Sequence, residues 1–175
     1  PLNLWTTSSL LNLADTFNDN DSFNQNLSDW GTSSVTLMSG TFQNSVFNNG
    51  LTGVLSNTLE WITSSATTMV DMFNGASAFR GNISDWVVSN VTNMNRMFLN
   101  ASVFNQDLSS WTTSSVIYLN EMFKGATIFN NGLAIGVSST IMNWNTSNVT
   151  YIQSTFESAP AFNGNISGWD VSNVT

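Results

Sequence analysis

The chain has no cysteine and no histidine, two prolines, and three basic residues against eleven acidic ones in 175. Without cysteine no disulfide closes the fold. Without histidine as well, the usual soft metal sites and every Ser-His-Asp or Cys-His nucleophilic arrangement are excluded. Lysine and arginine are too scarce to neutralise a phosphate backbone, so nucleic acid is excluded as a partner. No apolar run of about 18 residues occurs, and the opening PLNLWTTSS has no basic stretch leading into an apolar one, so neither a membrane span nor a signal peptide is expected. With 8% charged residues and a net charge of −8, the polar surface has to come from Asn, Ser, Thr and Gly.

What is abundant is aromatic and periodic. The seven tryptophans, Trp5, Trp30, Trp61, Trp86, Trp111, Trp144 and Trp169, are separated by 25, 31, 25, 25, 33 and 25 residues. A phenylalanine stands twelve residues after each of the first six, at Phe17, Phe42, Phe73, Phe98, Phe123 and Phe156. A second follows six later at Phe23, Phe79, Phe104, Phe129 and Phe162, with Phe47 one residue early. Such a period means stacked structural repeats. The expected fold class is a repeat solenoid over residues 1–175, of about seven coils of about 25 residues each, with insertions near 48–57 and 130–140. Both insertions begin with the tetrapeptide NNGL, which predicts that they protrude from the same side. Pro1 enters just before a tryptophan and Thr175 stops inside a repeat, so the array is expected to be incomplete at both ends and part of a longer one.

Two local patterns recur in each copy. A hydrophobic residue three before the tryptophan (Leu2, Leu27, Ile83, Leu108, Ile141, Ile166, with Thr58 the exception) predicts a short strand stacked in parallel on its equivalents, and seven of these at roughly 4.8 Å would span about 34 Å. Val91, Met94 and Phe98, spaced three and four apart, predict about two helical turns. Serine at the third position after every tryptophan, Ser8 to Ser172, reads as a cap or turn. Asp19, Asn44, Gly75, Asn100, Gly125 and Ser158, two residues beyond the first phenylalanine, read as helix stops.

The unit FNQDLSSWTTSSVIYLNEMFKGATIF closely resembles the BspA-like leucine-rich repeat of surface proteins, in the form abundant in Mycoplasma lipoproteins. The resemblance covers essentially the whole chain and departs from the family pattern at Leu10 and Ala66, which replace the valine, and at the insertions. It implies a leucine-rich-repeat-like right-handed coil of short parallel strands and short helices on the cell exterior, used for attachment or other contacts, and it brings no catalytic residues.

Equal repeat positions become spatial neighbours, so register predicts contacts. Asp71, Arg96 and Glu121, ten residues after their tryptophans, form an acid-base-acid row expected to act as surface charge compensation. Tyr118 and Tyr151 are the only aromatic residues outside the repeated set and are a candidate exposed platform for a sugar or a partner chain. Asp29, Glu60 and Asp85 precede their tryptophans as a row that lacks the convergence of a calcium site and reads as a solvated acidic stripe. A threonine-rich row, Thr7, Thr32, Thr63, Val88, Thr113, Thr146 and Val171, is too interrupted for an ice-binding lattice. Nine sequons, at Asn20, Asn26, Asn82, Asn90, Asn100, Asn145, Asn148, Asn165 and Asn173, are possible glycosylation sites in a secreted eukaryotic chain and arise readily from composition.

The expectation is a non-enzymatic extracellular or cell-surface scaffold for adhesion or protein contact, without cofactor or metal. Its partners would be other proteins or glycans at a cell surface. The alternatives are a self-assembling unit of an extracellular filament or coat, and a carbohydrate-binding module.

Overall fold

The computed structural model describes residues 5–53, 55–134, 136–137 and 141–175. Its copies lie on one another so that each repeated ring meets the next of its kind, as the 25-residue period requires. The first phenylalanines make an unbroken column, with centroids 5.5–5.6 Å apart from Phe17 through Phe42, Phe73, Phe98 and Phe123 to Phe156. The second phenylalanines form a parallel column at 5.9–6.3 Å. A third runs along the tryptophans, with Trp61 and Trp86 at 6.3 Å and 2° between planes. Within a copy the two phenylalanines stack at 3.8–4.2 Å. Around these rings the fifth and eighth positions after tryptophan are fully buried in the inner copies, as at Val91 and Met94, and partly buried at Leu10, Ile152 and Val174. Each large ring buried here contributes about 1.5–3 kcal/mol.

The predicted helix is not formed, and there is no helix among the described residues. The segment is a chain of tight turns in which alternate N–H groups point two ways. In the copy from Trp86, the N–H groups of Met97, Leu99 and Ala101 close turns onto Met94, Arg96 and Phe98. Those of Met94, Arg96, Phe98 and Asn100 leave the copy and donate to Tyr118, Asn120, Met122 and Lys124 of the next. A right-handed helix directs every N–H along its own axis. Here the alternation is produced by left-handed backbone at two fixed places. Ten residues after tryptophan, Asp15, Gly40, Asp71, Arg96, Glu121 and Ser154 have φ of 55–62°. Fourteen after it, Asp19, Asn44, Gly75, Asn100, Gly125 and Ser158 have φ of 51–70°. The supposed helix stops are thus recurring corners of the turn chain. A side-chain-bearing residue in this conformation costs about 1–2 kcal/mol, which the hydrogen bonds gained between copies offset.

The predicted strand is also displaced. Parallel pairing runs as single bridges through the seventh position after tryptophan, Asn12 to Leu37, Thr68, Asn93, Tyr118 and Tyr151. Ahead of the tryptophans only Thr58–Asn82 and Ile141–Asn165 pair, among the described residues. The hydrophobic row there shifts register after each insertion. Leu27, Ile83 and Leu108 are buried three before tryptophan, but Leu59 and Met142, two before it, fill the same place, while Ile141 is 49% exposed. Leu2 lies outside the described residues.

Both insertions start alike. Asn48, Asn49, Asn130 and Asn131 are buried. Asn49 Oδ1 accepts the Leu27 N–H at 2.8 Å and Asn131 Oδ1 the Leu108 N–H at 2.9 Å. Asn48 Nδ2 donates to the Leu55 carbonyl, and Asn130 Nδ2 to those of Ala134 and Val137. Gly50 and Gly132, with φ of 84° and 83°, pass so close to Asn26 and Asp107 that an added Cβ would lie 3.0 Å from a backbone nitrogen. Residues 54, 135 and 138–140 of the insertions lie outside the described residues.

Candidate contact surface

Most repeated polar side chains are joints between copies. The indole Nε1 of Trp61, Trp86, Trp111, Trp144 and Trp169 donates backward, to the carbonyls of Leu27, Leu59, Ile83, Leu108 and Met142, at 2.9–3.1 Å. Two residues after tryptophan, the hydroxyls of Thr32, Thr63, Thr113 and Thr146 donate forward, to Ile62, Val87, Asn145 and Asp170. These threonines are buried, so they present no row of hydroxyls to ice. The fourth position ties copies as well, through Ser65, Asn90, Ser115, Asn148 and Asn173 to the carbonyls of Ser33, Ser64, Ser89, Ser114 and Ser147.

The sequons fall inside this frame. Asn26, Asn82 and Asn165 accept the N–H groups of Ser28, Ser84 and Ser167, so that Asn-x-Ser is here the signature of a side-chain-closed turn. Asn145 does the same for Ser147, and Asn20 for Ser22 and Phe23. At Asn90, Asn148 and Asn173 the nitrogen that would carry a glycan donates to the preceding copy. Asn100 occupies a left-handed corner.

The charge row divides into two groups. Arg96 Nε and Nη2 donate to Asp71 Oδ1 and Oδ2 at 2.8 and 2.7 Å, a bidentate pair across adjacent copies. That hydrogen bond, with the Asp71 and Glu121 charges, raises the guanidinium pKa against a smaller effect of burial. Glu121 pairs instead with Lys124 at 3.1 Å, and Lys124 reaches Glu157 of the next copy at 3.1 Å. Hydrogen bonds to Glu121 and Glu157 raise the Lys124 pKa. Glu157 is held below the ordinary carboxylate value by a hydrogen bond from Ser154 and then by Lys124. All three members of the row stand at left-handed corners, which local sequence gave no means of seeing.

Tyr118 and Tyr151 meet face to face, centroids 5.0 Å apart and 5° between planes. The pair is stacked at its shared repeat position, and Tyr151 is 41% exposed. Asp29, Glu60 and Asp85 are exposed, and among the described residues no group of three or more acidic side chains could hold a metal ion. Beside the last two lies a groove that sequence reasoning missed. It has a volume of about 420 Å³ and is walled by residues flanking Trp61 and Trp86, with Ile62 and Val87 exposed. Thr58, the exception in the hydrophobic row, and Leu59, which takes the buried place beside it, both line the groove.

A fixed period, three ring columns and joints repeated from copy to copy define a mostly non-helical stacked-repeat protein. The chain belongs to the family described as "Mycoplasma protein of unknown function, DUF285", whose model matches it three times, over residues 1–55, 46–140 and 134–175. No curated protein and no solved structure matches the chain.

Proposed function

We propose that the chain is a non-enzymatic extracellular or cell-surface scaffold whose role is contact with other proteins. The observation that carries this reading is the division of labour within each copy: the repeated polar groups serve as joints, and the outward residues vary from copy to copy over an invariant frame. At the first position after tryptophan, for example, the exposed residues are Thr6, Ile62, Val87, Thr112, Asn145 and Asp170. Stiff repeats with changeable outer residues suit recognition of extended partners. The narrower identity as a BspA-like leucine-rich repeat, with its right-handed winding and surface attachment, belongs to the same proposal and draws on the repeated tryptophan, valine, methionine and phenylalanine.

The test has two arms. Antibody raised to the chain should label intact, unpermeabilised source cells, and the purified chain should bind host cells or immobilised extracellular matrix proteins saturably. Labelling that appears only after permeabilisation, or the absence of saturable binding to any surface, would overturn the reading.

A further inference from the structure

We propose that the groove beside Trp61 and Trp86 docks an extended protein segment carrying lysine or arginine at alternate positions. This rests on the contact-scaffold reading and assigns it a face and a partner chemistry.

The groove's exposed charges are of one sign. Glu60 and Asp85 line it, and Asp29 continues their row in the copy before. A second hollow of about 260 Å³ lies on the other side of the Asp85–Val88 ridge, so Asp85 and Val87 border both. The chain's three cations are engaged elsewhere. Arg96 and Lys124 are in the ion pairs described above, and the Arg80 guanidinium donates to the carbonyls of Gly53 and Val103. Among the described residues, no cation comes within ion-pairing distance of Glu60 or Asp85. Next to these carboxylates, Ile62 and Val87 are 57% and 49% exposed.

Carboxylates beside aliphatic surface match the two parts of a lysine or arginine side chain, whose methylene stem covers apolar surface while its head stays at the polar edge. Spacing fixes the rest. Alternate side chains of an extended segment are roughly 6.6 Å apart, and the Trp61 and Trp86 rings, one residue from Glu60 and Asp85, are 6.3 Å apart. A segment running along the stack thus sets one basic side chain on Ile62 with its head at Glu60, and the next on Val87 with its head at Asp85. The same charges repel anionic lipid and nucleic acid.

The probe is a fluorescent heptapeptide of alternating lysine and serine, titrated with the whole 175-residue chain. Saturable binding is expected, weakened roughly fivefold by Glu60→Gln with Asp85→Asn, as for two exposed ion pairs, and weakened further by added salt. Ile62→Ser with Val87→Ser should also weaken it, as should replacing the peptide's lysines with ornithine, which keeps the charge and shortens the stem. Asp19→Asn with Asp21→Asn removes the same charge from another face and should leave binding unchanged. The proposal is overturned by absence of saturable binding, by indifference to the Glu60 and Asp85 substitutions, or by an equal loss in the Asp19 and Asp21 variant. If it falls while the chain still binds cell or matrix surfaces, only the groove assignment is lost. If the chain binds no surface, the scaffold reading fails whatever the peptide does.

Discussion

The copies beginning at Trp61 and Trp86 pass from their second phenylalanine to the next tryptophan in seven residues, whereas those beginning at Trp30 and Trp111 take 14 and 15. Both routes deliver the same product: a buried apolar side chain ahead of the tryptophan and, at that residue, a carbonyl that accepts the indole N–H of the next copy's tryptophan. The short route uses Ile83 and Leu108. The long one uses Leu59 and Met142, one place later, after two buried asparagines have pinned the start of the detour. The comparison teaches that what the stack conserves is a position in space, and that distance along the chain is negotiable if the polar groups of the detour are satisfied.

The bluntest way to test this is to remove a ring common to both kinds of copy. Phe98→Ala opens a void in the unbroken column and should destabilise the chain by about 3–5 kcal/mol, read as a lower urea midpoint. A sharper version sets neighbours against each other. Met142→Ala should cost about 2–5 kcal/mol, while Ile141→Ala stays within about 0.5 kcal/mol; equal losses would restore the sequence-based register. Next comes Asn131→Ala, which leaves the Leu108 N–H buried without its acceptor and should cost about 1–3 kcal/mol. Asn49→Ala should match it through Leu27, or the two detours are not equivalent. Gly132→Ala combines a φ of 83° with a Cβ 3.0 Å from the Asp107 nitrogen and should cost about 1–2 kcal/mol. The smallest effect concerns an exposed group shared by neither detour. The folded-state pKa of Glu157 is depressed, so its contribution is present above the ordinary value of 4.5 and fades as pH falls through the lowered one. Glu157→Gln should therefore flatten the pH dependence of the melting temperature below about pH 4.5.

The ring columns were legible because large aromatic residues are conspicuous markers and their spacing survives any local conformation. The segment Val91 to Phe98 was misread because spacings of three and four also suit a chain of turns whose partners sit some 25 residues away. Gly75 and Asn100 did announce left-handed backbone, and were read as ends of a helix where they mark corners. Arg96 and Glu121 announced nothing, being poor turn formers held in place by bonds between copies. The stacking of Tyr118 on Tyr151 followed from register alone, because equal repeat positions become neighbours.

From Trp61 to Trp169 the indole N–H groups reach toward the preceding copy, while the hydroxyls of Thr32, Thr63, Thr113 and Thr146, two residues after tryptophan, reach toward the following one. Every unit therefore brings its own half of both seams. Recombination that adds or deletes one whole period would leave a junction like those already present, so lineages could lengthen or shorten this array in steps of one repeat, varying reach without first acquiring compensating mutations.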